Sequence, residues 1–169
     1  RAAGESVGWG AAFGVLARPS LSALVVLGAA LLTLFLAWIG AAAVIHAATL
    51  GPEPPASLAA FAAHVTGTAA GWTMIAVGCA TGFLFAALVL AFSVISFPLL
   101  VDREVGVMTA AVTSVRFALA NPRPVAAWGA IVAIGLVLGT LPLFLGLIVV
   151  LPVLGHATWH LYRAGIAPR

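Results

Sequence analysis

Four histidines are the residues of this chain best suited to bind a cofactor or a metal. His156 and His160 stand four apart, so on a helix both face one side, a spacing that can hold a metal ion. No acid or cysteine lies at a matching depth to complete a ligand set. Counting back from Arg163, His156 sits about 10 Å up its helix. Helix packing and hydrogen bonding are therefore the favoured roles for this pair, and the two remain weak metal candidates. His46 and His64 fall near the opposite membrane face. A bis-histidine haem needs two imidazoles at one depth on facing segments, and His46 with His64 could meet that condition. His46 with His156 could not. Simple placement at the interface is the favoured reading, so neither a metal nor a haem is expected. The triplet 102–104, Asp-Arg-Glu, could couple protons, but it reads better as a helix start with Asp102 as N-cap and Glu104 in the first turn. Cys79 has no internal disulfide partner. There is no phosphate loop, nucleophile elbow or pair of carboxylates inside an apolar run, so no catalysis is expected.

The elements that carry these residues follow from composition. Of 169 residues, 64% are hydrophobic and 7% charged, and the mean hydropathy is +1.24. Seven arginines and four acids cannot give a water-soluble fold of this length its polar surface. An ordinary soluble enzyme, a disordered protein and a nucleic-acid binder are excluded. The remaining class is all-α, a polytopic helical membrane protein.

Residues 19–52, 54–101 and 124–162 contain no Asp, Glu, Lys or Arg. A crossing helix needs about 20 apolar residues. The runs parse into four transmembrane helices at about 21–46, 72–101, 125–140 and 143–163. The last two form a tight hairpin split at Leu141-Pro142, and Pro152 kinks the final helix. Pro98 falls one turn from the end of the second span. Interfacial helices are expected at about 6–18, 57–66 and 103–120. In the last, Val105, Met108, Val112, Val115 and Leu119 recur at helical spacing, with Thr109, Thr113 and Arg116 assigned to the opposite face. Leu16-Ala17-Arg18-Pro19 parallels Leu119-Ala120-Asn121-Pro122, a weak hint of a repeat.

The arginines cluster at 1 and 18, at 103, 116 and 123, and at 163 and 169, while the loops near Pro52 and Pro142 have none. This places both ends of a four-span chain in the cytoplasm. Trp9, Trp38, Trp72, Trp128 and Trp159 fall near helix ends, as an interfacial belt requires. Gly67/Gly71, Gly78/Gly82 and Gly135/Gly139 give GxxxG spacings that serve either internal packing or a partner helix. No ionisable residue falls at mid-membrane, which counts against ion-coupled transport.

Ser96-Phe97-Pro98-Leu99-Leu100-Val101-Asp102-Arg103, Thr113-Ser114-Val115-Arg116, Ala120-Asn121-Pro122 and the run 151–163 from Leu151-Pro152 to Tyr162-Arg163 resemble the bacterial integral membrane family of unknown function numbered 2189. The likeness is dense over about 90–163 and looser at Gly4-Glu5-Ser6-Val7-Gly8-Trp9. It implies a fold of typically six spans, so the chain is expected to lack an upstream hairpin, in keeping with its start at Arg1. Some relatives are labelled as possible cytochrome c oxidase subunits. The resemblance implies a fold and not a reaction, and the label points at most to respiratory or photosynthetic membranes. The expected role is a non-catalytic accessory subunit of a larger electron-transfer complex of that kind in a bacterial inner (cytoplasmic) membrane. Its partners would be membrane lipids and other integral membrane subunits. An oligomeric small-molecule permease or exporter is the alternative.

Overall fold

A computed structural model describes residues 20–165, and all regular structure among them is helical. Helix α1, Ser20–Thr49, runs until Gly51, whose φ of 97° lies in the left-handed region, and Pro52 bars any continuation. Ser57 opens α2, Leu58–Gly67, by accepting a hydrogen bond from the Ala60 N–H at 3.1 Å. Thr68 is extended and separates α2 from α3, Ala69–Ser93. At this corner Gly71 lies against the Val65 backbone, where no Cβ would fit. The expected helices at 57–66 and 21–46 are present, each with slightly different ends. The expected helix at 6–18 lies outside the described residues.

The expected second span, 72–101, is interrupted. Helix α3 stops at Ser93, and α4, Ser96–Asp102, starts after a break at Val94 and Ile95. Proline lacks an N–H and its ring clashes with the carbonyl four residues earlier. Pro98 therefore acts at Val94, one turn upstream of its own position. Together α3 and α4 form a single apolar stretch of 34 residues, Ala69–Asp102. As one straight helix at 1.5 Å per residue, a stretch of that size would reach about 51 Å, more than a hydrocarbon core of about 30 Å requires.

The reading of Asp102 as an N-cap is corrected. Asp102 is the last residue of α4, and Arg103 follows in extended conformation. Helix α5, Val107–Ala120, starts later than the expected 103, with extended Gly106 as N-cap and no acid in its first turn. A capping side chain must belong to a non-helical residue with a free oxygen. Asp102 is helical, and its carboxylate is engaged elsewhere. The assignment of faces on α5 also changes. Its buried residues are Ala110, Ser114 and Ala118, and Arg116 is exposed on the side of Met108, Val112 and Leu119. The face opposite the large apolar stripe packs on protein through small side chains.

Helix α6, Pro122–Thr140, begins with Pro122 in its first turn. The Asn121 side-chain amide donates to the Phe117 carbonyl at 3.1 Å, so it closes α5 and does not cap α6. Helix α7 is Leu147–Gly165, with Pro152 inside. It begins later than the expected 143. Leu143 and Phe144 have φ of 52° and 67°, a conformation costing roughly 1–2 kcal/mol for each non-glycine residue. The turn is held by Phe144 N–H to Thr140 O at 3.1 Å and Leu145 N–H to Pro142 O at 3.0 Å.

Among the described residues, 29–90 form one compact unit, and 91–165 with 20–28 another. In the second, α6 packs along α7, α4 lies against α5 and α7, and α5 meets α6. Three stretches among the described residues are long and apolar enough to cross a membrane: Leu21–Thr49, Ala69–Asp102 and Pro122–Thr140. The fourth expected span is not among them. The first half of α7 is apolar, but its second half carries His156, His160, Tyr162 and Arg163.

Candidate functional site

The polar side chains of the second unit converge where α4 ends. Tyr162, the single tyrosine of the chain, is fully buried on the last turns of α7. Its hydroxyl donates to Asp102 Oδ2 at 2.7 Å, a link sixty residues apart in sequence. Arg103 Nε stands 3.6 Å from the same oxygen. The Trp159 ring lies 5.5 Å from that of Tyr162, tilted by 40°. Burying a phenol is favourable only if its hydroxyl finds a partner. A carboxylate acceptor makes that bond stronger than one between neutral groups. The cluster therefore ties the end of α4 to the end of α7. The bond satisfies the buried phenol, so the arrangement acts as a structural clasp between the two helix ends.

A second polar contact manages the helix break. Ile95 N–H would donate to Ala91 in an unbroken helix. It donates instead to Ser114 Oγ on α5, at 3.1 Å, and both residues are fully buried. Ser96 is also fully buried, and its hydroxyl donates to the Phe92 carbonyl. An unpaired N–H in this setting would cost about 1–3 kcal/mol. Ser114 sits in the small-residue stripe of α5, the one polar position among Ala110, Ser114 and Ala118.

In the first unit, α1 and α3 border an apolar groove of about 360 Å³. Leu31, Leu34, Phe35 and Trp38 line one wall, and Phe85 and Val89 stand on the other. The α1 positions recur at three and four residues, one face of a helix. Gly82 faces the Trp38 indole, and the Phe35 and Trp38 rings lie 5.8 Å apart.

The sequence-nominated histidines occupy three environments. His46, in the last turn of α1, rests on Phe61 with ring centroids 6.2 Å apart. His64 is exposed in the last turn of α2, where its carbonyl accepts from Thr68 Oγ1 at 2.8 Å. His156 and His160 are both exposed on α7. Among the described residues no three His, Cys, Asp or Glu side chains gather into a metal-binding group. Tyr162 and Ser114 stand in the motifs of the family resemblance, but the sequence assigns neither of them a role. The signal available was indirect: a lone tyrosine beside Arg163 at a helix end, and a lone serine in an otherwise alanine stripe.

The glycine spacings also resolve. A Cβ on Gly139 would meet Leu147 Cδ2 at 2.6 Å, and one on Gly135 would touch Val150 Cγ1 at 3.5 Å. This stripe closes the α6–α7 hairpin. Gly78 has open space around it.

The chain belongs to the family described as predicted integral membrane protein (DUF2189), whose profile matches residues 1–102. The matched stretch takes in the segments 4–9 and 96–102. The motifs at 113–163, within the stretch where the resemblance is densest, lie beyond it. No curated protein and no solved structure matches the chain.

Proposed function

We propose that this member of the DUF2189 family is a non-catalytic accessory subunit that packs beside other integral membrane proteins of an electron-transfer complex in a bacterial inner membrane. The observation that carries this reading is the bareness of α1. Only 6% of its apolar window is buried, and Val25, Leu32, Leu36 and Val44 are all more than half exposed. A span with so little intramolecular contact has its surface free for neighbours. Apolar surface in lipid gains nothing from association by hydrophobicity alone, so close packing must do the work. The open side of α3 at Gly78 suits such an approach. The apolar groove of the first unit supports the subunit over a permease, because a polar solute would find no hydrogen-bonding wall there. The resemblance to relatives labelled as oxidase subunits motivates the choice of complex.

Extraction in mild detergent at native abundance tests the proposal. The protein is expected to co-migrate with a larger assembly on a native gel. Migration only as a free monomer would end the subunit reading. In this reading the chain holds no haem of its own, and the protein purified alone should lack a Soret band. A stoichiometric band lost on His46→Ala or His64→Ala would overturn that part.

The orientation proposed has both ends of the chain in the cytoplasm, with α7 as a fourth, less apolar crossing. In a Cys79→Ser background, single cysteines at Glu53 and Arg116 should label from opposite sides of sealed vesicles. Labelling from the same side would contradict it.

A further inference from the structure

We infer that the arginine-bearing end of the second unit is a seat for anionic phospholipid, with α5 lying in the headgroup layer as its floor. Three observations converge on this surface.

The first is where the arginines lie. Asp102 and Tyr162 are hydrogen-bonded, so the neighbouring residues Arg103 and Arg163 belong to the same end of the unit. Gly165 closely approaches the Phe117 ring, which brings the end of α7 against the turn of α5 that carries Arg116. In the α6–α7 hairpin Gly139 meets Val150 and Gly135 meets Leu154. Carried down the antiparallel pair, that register brings Arg163 level with the first turn of α6, which carries Arg123. Four helix ends thus present Arg103, Arg116, Arg123 and Arg163 together.

The second is their charge state. All four are exposed, against two carboxylates in the same region, Asp102 and Glu104. Among the described residues the one ion pair is Arg103 with Asp102. Arg116, Arg123 and Arg163 make none, leaving a surface complementary to phosphodiester anions. Arginine suits this role because its planar fork bonds phosphate oxygens in pairs.

The third is the outer face of α5. Met108 is 73% exposed and Leu119 76%. Val112 lies between them on the same face, and Arg116 sits at its edge. The opposite face, Ala110, Ser114 and Ala118, is buried on protein. Large apolar side chains flanked by an unpaired arginine match a helix that lies at the interface, its apolar stripe among acyl chains and its arginine at phosphate level. A soluble anion would have no use for Met108 and Leu119. That selects a lipid as the occupant.

The test uses the whole chain purified in an uncharged detergent. Its thermal midpoint is followed during titration with dioctanoyl phosphatidylglycerol, dioctanoyl phosphatidylcholine and inorganic phosphate. Phosphatidylglycerol should raise the midpoint, and the other two should not at the same concentrations. The triple variant Arg116→Gln/Arg123→Gln/Arg163→Gln should need about tenfold more phosphatidylglycerol, or beyond, for the same rise. Should the triple variant not fold, Arg116→Gln alone should show a smaller rightward shift. An equal response to phosphatidylcholine, an equal response to phosphate, or variants that titrate like the parent would each overturn the inference. Spin labels placed at 108 and 119 in phosphatidylglycerol vesicles give an independent readout. They should be relaxed by oxygen more than by a water-soluble nickel chelate, and the reverse order would remove α5 from the membrane.

Discussion

Tyr162→Ala should lower the stability of the folded chain by about 3–5 kcal/mol, the range for emptying a buried aromatic site. The ring is fully buried, touches Trp159, and stands where α7 meets α4. Losing it would open a cavity between the two helices and release the carboxylate of Asp102. Tyr162→Phe separates the two contributions. It keeps the ring and removes only the hydroxyl, at a cost of about 1.5–3 kcal/mol for a bond to a charged group. Because 36% of the Asp102 side chain is exposed, water can replace the hydroxyl, and the lower end is expected. Unfolding in mixed micelles, titrated with a denaturing detergent and followed by circular dichroism, would give both values. A Tyr162→Ala variant as stable as the parent would show that the clasp contributes nothing.

Much of the helical framework was legible because bilayer length and proline act locally. The boundaries at Gly51-Pro52, Ser57 and Asn121-Pro122 could be read from a few adjacent residues. The membrane class followed from composition alone, and the family profile agrees with it. Two of the misreadings, Asp102 and the packed face of α5, share one physical origin, a partner distant in sequence. Asp102 followed by Arg103 and Glu104 looks like a helix start when read locally. Its carboxylate is in fact held by Tyr162. Met108, Val112 and Leu119 of the expected stripe share an exposed face of α5, but Val105 lies before the helix, and the packed face is the small one. What selects it is α4, whose broken backbone offers the Ile95 N–H to Ser114. The position of the break was legible in principle, since proline acts four residues upstream of itself. The candidate site was much less so: no local pattern links residues 102 and 162.

Gly146→Ala should destabilise the α6–α7 hairpin by about 1–3 kcal/mol, the usual cost of overpacking, and Gly139→Leu by more. At Gly146 the added Cβ would lie 2.9 Å from both the Cα and the carbonyl oxygen of Gly139. Backbone atoms cannot swing aside, so the helices must separate. At Gly139 the Cβ would press on Leu147 Cδ2 at 2.6 Å and reach the Leu147 nitrogen at 3.3 Å. The turn has little slack to absorb this, since Leu143 and Phe144 are already left-handed. Two substitutions serve as controls. Gly135→Ala meets Val150 at an ordinary 3.5 Å, and Gly78→Ala enters open space. Both should leave folding unchanged. The measurement is the amount of monodisperse protein recovered from membranes, with the native gel run in parallel. Gly146→Ala and Gly139→Leu should aggregate or be degraded before any question of a partner arises. If Gly139→Leu instead accumulated normally and lost only its co-migration with a larger complex, the stripe would face a neighbouring subunit, and Gly139 would not pack against Leu147 in the hairpin.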